Sequence, residues 1–265
     1  IADPKLTNSK EKNIAIEADF LLVSSIEQYD KFLKYNNNIY IYYMFPEVNL
    51  NLKKHIEKKK IILGYHGNKV HLHCSYPHLT IALDNLAEIY DIELWVIYNI
   101  ETLGIWTYGV PKNIKVKHIQ WSETIYDEVF DKIDIGIVPN FINNDFKDSF
   151  FSNKKLFLKD KEDYILQYKY SSNPGRQYIF AMKGIPMVSE MYPSASQFIS
   201  HSKSGELVSS SEGWYYSIEK LLLSNNLRND YAHEMYKNIV VHSDKSIVVV
   251  DLVEFISNLK VNSKQ

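Results

Sequence analysis

Short apolar runs that alternate with helix-like segments constrain the fold of this chain most strongly. The runs are Ile61–Gly67, Ile92–Tyr98, Ile114–Trp121, Asp134–Pro139 and Ile185–Ser189. Their length and composition are typical of strands that are covered on both faces of a parallel sheet. After the first run, Leu79, Leu83, Leu86 and Tyr90 form a stripe at helical spacing. The alternation predicts an α/β protein with a doubly wound parallel sheet and right-handed crossovers.

A smaller αβ unit precedes this predicted sheet. Ala18–Ser25 and Ile39–Phe45 are predicted strands, and Ile26–Tyr35 is a predicted helix between them. A unit of this size is too small to bury a sheet on both faces. Because the chain starts at Ile1 rather than at Met, we expect further sequence to precede it.

The basic stretch Lys53–Lys60 is the best candidate for a linker between the two units. We expect its lysines to form a solvated face, with contact to a membrane surface as the alternative. The predicted domains are residues 1–59, residues 60–245 and a closing helical segment of residues 246–265. Residues 140–166 are predicted to form a long surface excursion. The remaining predicted elements are a strand over Gly205–Ser209 and helices over Trp214–Leu223, Leu227–Val240 and Ile247–Leu259.

The composition narrows the classes of function. A net charge of −2 lacks the basic bias of nucleic-acid binders, and 45% hydrophobic residues is ordinary for a globular protein. The single cysteine, Cys74, excludes an internal disulfide and a cysteine-based metal cluster, and it fits a reducing compartment. No apolar run approaches the roughly 20 residues that span a bilayer.

Residues 168–190 contain the clearest candidate for a ligand site. Asn173 is a good N-cap, Pro174 fits the first helical position, and Gly184 ends the predicted helix before the next strand. The helix therefore begins where Lys169, Arg176 and free main-chain N–H groups converge, which suits an anion such as a phosphate. An ordinary αβ unit with solvated basic residues is the alternative.

A second candidate lies at the end of the first strand of the large unit. Gly64 and Gly67 are followed by Asn68 and Lys69, a pattern that differs from the dinucleotide-binding glycine motif. Two glycines and a lysine can still bring main chain and a cation close to a pyrophosphate. A tight turn between strand and helix is the alternative.

Two further candidate side chains, His118 and Trp121, lie near the end of the predicted strand Ile114–Trp121. Trp121 can stack on a nucleobase or pack in the core, and His118 can be a satisfied structural histidine. We expect no metal site, although histidines are dense, because few carboxylates accompany them. The histidines concerned are His66, His71, His73 and His78.

No nucleophile elbow, Walker lysine loop or zinc-protease helix is present in the sequence. No pair of carboxylates stands out as an acid–base couple. If the protein is an enzyme, its chemistry therefore depends on binding and orienting a charged donor.

The order of these pieces resembles the C-terminal half of GT-B-fold glycosyltransferases of the group 1 type. The resemblance covers roughly residues 18–260, in order, and the motifs that carry it are Ala18–Ser25, Leu63–Lys69, Asp134–Pro139, Lys169–Arg176 and Lys183–Val188. Such enzymes have two facing Rossmann-like domains, of which the C-terminal one holds a nucleotide-sugar donor. The resemblance implies that residues 1–59 are the remnant of the acceptor-side domain and that the final helix crosses back to it.

The resemblance also implies roles for the candidate residues. The donor diphosphate would face Gly64, Gly67, Asn68, Lys69, Lys169, Asn173, Gly175 and Arg176, and the segment from His118 to Trp121 would line the base. Many members carry two glutamates eight positions apart, and here Ser171 and Ile179 stand in their place. Ile179 cannot hold a ribose, so Gln177 or Tyr178 is the expected substitute.

These observations predict a glycosyltransferase that moves a sugar from a nucleotide-sugar donor to a glycan or lipid-linked acceptor, as in polysaccharide biosynthesis. The expected protein needs no metal and no cofactor, binds no nucleic acid, and works in the cytoplasm with a peripheral membrane contact through the acceptor-side domain. A non-catalytic GT-B-like domain that binds a partner or glycan is the alternative. A sugar-nucleotide epimerase is disfavoured because the glycine fingerprint is missing. The catalytic residues stay unassigned.

Overall fold

The computed structural model describes residues 9–43, 45, 52–124, 126–140 and 173–262. The strands are β1 Leu21–Val23, β2 Ile39–Ile41, β3 Ile61–His66, β4 Ile92–Tyr98, β5 Lys115–Gln120, β6 Ile135–Val138, β7 Met187–Glu190 and β8 Glu206–Val208. The helices are α1 Ser9–Glu17, α2 Ile26–Phe32, α3 Val70–Cys74, α4 His78–Ala87, α5 Ile100–Leu103, α6 Tyr126–Phe130, α7 Gly175–Met182, α8 Pro193–Phe198, α9 Ser211–Leu223, α10 Asn225–Ser243 and α11 Lys245–Asn262.

The larger sheet has six parallel strands in the order β5-β4-β3-β6-β7-β8. The chain runs outward from β3 through β4 to β5, returns to β6 beside β3, and runs outward again through β7 to β8. This order confirms the predicted doubly wound sheet. Its switch point lies between β3 and β6, and in such sheets ligands bind beyond the carboxyl ends of the strands at that point.

Helices cover both faces of the six-stranded sheet. On one face α4 and α9 bury Leu83, Trp214 and Ile218 against the strands. On the other face α6, α7 and α10 bury side chains that include Phe130 and Phe180. Burial on both faces explains why the strands are apolar along their whole length rather than at alternate positions.

Two glycines let the layers of this core approach closely. A Cβ atom on Gly64 would lie 2.4 Å from the Ile133 side chain, and one on Gly136 would lie 2.8 Å from the Phe180 ring. Gly64 and Gly136 are also neighbours in the β3–β6 register. Gly64 therefore belongs to the interior of β3, whereas the sequence pattern placed it in the glycine loop that follows.

The N-terminal unit is a parallel pair of strands, β1 and β2, with a small core of its own. Val23, Phe32 and Ile39 are buried in that core. From the far end of the chain, α11 reaches this unit, because the Phe255 ring lies 5.9 Å from that of Phe20 and 5.3 Å from that of Tyr40. The final helix thus contacts the N-terminal unit.

The segment between the two units is fastened to the larger one. Lys53 Nζ lies 3.1 Å from the buried Asp134 Oδ1, and Lys58 Nζ lies 2.6 Å from the same atom. His55 is buried and its Nε2 lies 2.8 Å from Gly184 O. The expectation of a wholly solvated charge run is therefore wrong for Lys53 and Lys58, since both lysines neutralise a carboxylate inside the fold.

Several element boundaries differ from the expectations. The helix predicted from Asn173 begins at Gly175, with Pro174 in the cap position, and Asn173 Oδ1 accepts from Gly175 N at 3.0 Å. The sequence predicts a helix that is capped by Ser122 and runs through Phe130, but α6 begins at Tyr126. Residues 9–17 form a helix that their polar sequence did not predict. Most of the excursion predicted over residues 140–166 lies outside the described residues.

Candidate functional site

Arg176 extends from the first turn of α7 across the carboxyl end of β6. Its Nη1 donates to Pro139 O at 2.5 Å, and its Nη2 donates to Asn140 Oδ1. The side chain is half-buried. The guanidinium is thereby held at the switch point of the sheet, where the sequence predicted an anion-binding cation.

Gly67 lies against the same arginine, in the loop that follows β3. Its φ is +124°, a conformation that side chains rarely adopt, and a Cβ there would lie 3.2 Å from Arg176 Cδ. Tyr65 Oη donates to Asn68 O at 2.5 Å and so holds the loop from beneath. The loop therefore presents bare main chain next to a fixed positive charge.

Two residues of β3 next to Arg176, Tyr65 and His66, are uncharged at neutral pH. Burial, together with the charge of Arg176, lowers the pKa of His66 to about 3. Burial also raises the pKa of Tyr65 above its ordinary value, against the opposing effect of the Arg176 charge. Neither side chain therefore places a charge of its own beside the guanidinium.

A buried glutamate that the sequence analysis did not select completes this edge. Glu190 ends β7, is fully buried, and accepts a hydrogen bond through Oε2 from Asn140 N. Glu190 closes a strand at the ligand edge, but a single charged residue after an apolar run belongs to no motif. Its position beside Asn140 becomes visible only when β6 and β7 are paired.

Gln177 lies in the protein interior. It is fully buried, and its Nε2 donates to Ser189 Oγ at 3.2 Å and to Tyr192 Oη at 2.5 Å. The neighbouring Tyr178 is buried as well, stacked on Phe45 with ring centroids 4.1 Å apart. Both side chains that were expected to replace the ribose-binding glutamate are thus used inside the fold.

The other residues that were predicted to surround the diphosphate lie at different places in the structure. Lys69 points toward the turn after α5, where its Nζ donates to Gly104 O at 3.1 Å and to Ile105 O at 3.3 Å. Asn68 is exposed, and its Oδ1 accepts from Val70 N at 3.0 Å. Asn173 is exposed before α7, and the N–H of Gly175 already donates to it. Lys169 lies outside the described residues.

Of the predicted base-lining residues, His118 lies within β5 and Trp121 directly follows that strand. Trp121 is 43% exposed, which leaves its ring accessible. The main-chain N–H of Trp121 donates to Tyr98 O at 3.0 Å. His118 Nδ1 lies 3.1 Å from Tyr98 Oη, and burial lowers its pKa. One strand, β4, separates β5 from β3, so their ends are about 10 Å apart, a nucleotide-sized span.

The arrangement is suited to binding an anion rather than a metal. A guanidinium offers a fork of donors that matches phosphate geometry, and the Gly67 loop allows close approach. Within the described part of the chain, no three His, Cys, Asp or Glu side chains are grouped to hold a metal ion. The same residues include no helix long and apolar enough to cross a membrane.

Comparisons with protein-family models and with curated proteins find no match. Comparison with solved structures gives clear similarities of fold. Staphylococcus aureus TarM, in a structure described with UDP, is 13% identical, with a TM-score of 0.63 over 93% of this chain and 45% of that one. Anabaena HepE, described in complex with UDP and glucose, is 12% identical, with a TM-score of 0.61 over 95% and 68%.

The lipopolysaccharide-biosynthesis glycosyltransferase WaaG is 14% identical, with a TM-score of 0.55 over 89% of this chain and 61% of that one. The chain spans about half the length of the TarM chains it matches. These similarities extend across both the six-stranded sheet and the N-terminal unit. The chain therefore has a partial GT-B fold, the architecture of glycosyltransferases such as WaaG.

Proposed function

We propose that this protein is a glycosyltransferase that binds a nucleotide-sugar donor in the crevice between the ends of β3 and β6. The observation that carries the proposal is the contact of Arg176 with the Gly67 loop at the switch point. The descriptions of TarM and HepE with UDP support a nucleotide ligand for this fold. A glycan or lipid-linked acceptor and a cytoplasmic location, expected from the sequence, are part of the same proposal.

Arg176 would act on the diphosphate of the donor. Its guanidinium now donates to a carbonyl and an amide oxygen, both neutral acceptors. Phosphate oxygens are charged acceptors and form stronger hydrogen bonds, so they compete for the same donors. As the bond between sugar and phosphate breaks, negative charge grows on the leaving diphosphate, and a fixed guanidinium stabilises it.

The remaining donor contacts follow from the positions of the predicted residues. The Gly67 loop would face the phosphates, and the exposed Trp121 ring would stack on the base. Lys169, from the stretch before α7, would supply a second cation. Two basic groups can stabilise a leaving diphosphate without a metal ion.

One observation favours a second candidate function, a GT-B-like domain that binds a partner or glycan without catalysis. Ile179 occupies the position of the ribose-binding glutamate, and the buried Gln177 and Tyr178 are committed to the core. A site without ribose recognition would bind a donor weakly. Donor hydrolysis separates the two functions, because only a transferase releases free sugar and nucleoside diphosphate from the donor.

Thermal unfolding in the presence of nucleoside diphosphates tests the proposal. UDP or GDP at about 100 times its Kd should stabilise the chain by about 2.7 kcal/mol, measured as a rise in Tm. Arg176→Ala and Lys169→Ala should each remove most of this rise. Lys237→Ala, which deletes an exposed cation paired with Glu234 on α10, is the matched control and should retain it. A rise that survives Arg176→Ala would refute the site.

Hydrolysis of UDP- and GDP-sugars tests the catalytic half of the proposal. The chain should release sugar slowly from the donor in the absence of an acceptor, and the Arg176→Ala variant should not. Nucleotide binding without any hydrolysis or transfer would favour the non-catalytic function.

A further inference from the structure

Three residues form a buried polar series that ends on Arg176. Glu190 Oε2 accepts from the main-chain N–H of Asn140, and Asn140 Oδ1 in turn accepts from Arg176 Nη2. The first two residues are almost completely buried, with 0% and 2% of their surface exposed. The carboxylate is thereby linked to Arg176 through Asn140, and it has no exposed surface with which to touch a ligand.

Strand pairing explains why the glutamate and the asparagine meet. Val138 and Ser189 are partners in the β6–β7 register, so Glu190, the last residue of β7, lies beside the chain that leaves β6. Past its last paired residue, the β6 chain would present the Asn140 N–H to the interior without a ladder partner. Glu190 supplies the acceptor, and a carboxylate makes a stronger hydrogen bond to an N–H than a neutral group does.

Fixing the main chain of Asn140 also fixes its side chain. Pro139 O and Asn140 Oδ1 are consecutive acceptors, and together they hold both terminal nitrogens of the guanidinium. If Asn140 turned, Arg176 would lose the acceptor of its Nη2, and its fork would be held less firmly. An arginine that rotates must be ordered again when a diphosphate binds, which lowers affinity.

We propose that Glu190 is a positioning residue of the donor site, which holds Asn140 so that Arg176 faces the Gly67 loop. The inference rests on the proposed binding of a nucleoside diphosphate. It assigns Glu190 no contact with the donor. What Glu190 contributes is an acceptor oxygen at a fixed place, so glutamine can replace it and alanine cannot.

Calorimetric titration of the chain with UDP and with uridine tests this assignment. Glu190→Ala should weaken UDP binding about tenfold, the effect of losing one hydrogen bond to a charged group, and leave uridine binding unchanged. Glu190→Gln should bind UDP within about twofold of the unaltered chain, because its amide oxygen still accepts from Asn140 N. A general loss of structure would weaken both ligands together.

A double-mutant cycle separates positioning from an independent role. Once Arg176 is alanine, Glu190→Ala should cause no further loss of UDP binding, because its effect acts through the arginine. If Glu190→Ala fails to fold, Asn140→Ala carries the same test: it keeps the main-chain N–H that Glu190 accepts from and removes only the acceptor of Arg176. It should weaken UDP binding by a similar factor.

The outcomes distinguish this inference from the function on which it rests. UDP binding that requires Arg176 but is unaffected by both Glu190→Ala and Asn140→Ala would overturn the positioning role alone. Additive losses in the cycle would also overturn it. Failure of the unaltered chain to bind UDP or GDP would overturn the proposed function, and the positioning role with it.

Discussion

A Cβ atom placed on Gly67 would lie 3.2 Å from Cδ of Arg176, so the loop after β3 and the first turn of α7 meet without a spacer. This contact joins two segments that are more than a hundred positions apart in the sequence. It brings the bare main chain of a positive-φ glycine next to a guanidinium at the switch point of the sheet. The candidate site depends on that proximity.

Gly67→Ala should damage both the fold and the site. The residue has a φ of +124°, and the added methyl group would press on Arg176 and on Tyr65 Oη, 3.3 Å away. We expect the free energy of unfolding to fall by about 1–3 kcal/mol in urea titrations. UDP binding should weaken as well, but not when Arg176 is already alanine. Full stability together with full UDP affinity would contradict the geometry of the loop.

Gly184→Ala should destabilise the chain far from the candidate site. The residue ends α7 with a φ of +63°, and a Cβ there would lie 2.5 Å from Lys53 N and 2.8 Å from Leu52 Cα. Main-chain atoms cannot move aside as a flexible side chain can. We expect a loss of about 2 kcal/mol or more in the free energy of unfolding, with UDP affinity per folded molecule unchanged. A loss within about 0.5 kcal/mol would show that the linker does not pack on α7.

Asp134→Ala should cost more stability than Glu93→Ala, although each carboxylate is paired with two lysines. Asp134 and Glu93 are 1% and 7% exposed, but the lysines of Asp134 are only 13% and 34% exposed, whereas those of Glu93 are 46% and 74% exposed. Burial would raise the pKa of Asp134, but hydrogen bonds from Lys58 and the charge of Lys53 outweigh it and hold the pKa below its usual value.

Removing one partner from a buried ion pair costs about 3–5 kcal/mol, whereas exposed pairs contribute about 0–1 kcal/mol. We therefore expect a loss of about 3 kcal/mol for Asp134→Ala and about 1 kcal/mol for Glu93→Ala in the same urea titrations. Equal losses for the two variants would mean that Lys53 finds another partner or water.

Stability should fall between neutral and mildly acid pH. Burial lowers the pKa of His55 from 6.5 to about 4, and the pKa of His66 is lowered to about 3. The unfolded chain therefore binds protons below pH 6.5 that the folded chain refuses, so stability is complete above this pH and is lost as the pH falls.

The pH dependence can be assigned to one residue. Between pH 7 and pH 5 we expect each buried histidine to remove about 2 kcal/mol from the free energy of unfolding. His55→Gln retains a donor for Gly184 O. It should reduce the loss of unfolding free energy between pH 7 and pH 5 by about 2 kcal/mol. The variant His233→Gln, which alters an exposed histidine of α10, is the matched control. A flat profile for the unaltered chain would contradict the burial of both imidazoles.

The strands of the large sheet were predictable because burial on both faces leaves a continuous apolar signal, as in Ile92–Tyr98. The stop at Gly184 also followed from the sequence, and the resemblance implied a common site for Arg176 and Gly67. Short helices such as α5 were missed because four residues carry no periodicity. Glu190 was missed because its role arises only from the pairing of β6 with β7.

The fastening of residues 52–60 could not be predicted for a similar reason. A run of lysines in a sequence indicates solvated charge, and only the fold reveals that Asp134 lies buried beneath two of them. The identity of Gly64 as a packing residue depends likewise on the Ile133 side chain across the layer. The roles of such residues are set by contacts between segments that are distant in the sequence. The local sequence pattern does not reveal these contacts.

A crystal structure of the chain with UDP bound tests the donor site most directly. The diphosphate should lie between Gly67 and the start of α7, with phosphate oxygens within hydrogen-bonding distance of the Arg176 guanidinium, and the uracil should lie near Trp121. UDP bound at another edge of the sheet, or bound at this edge without a phosphate contact to Arg176, would contradict the assignment.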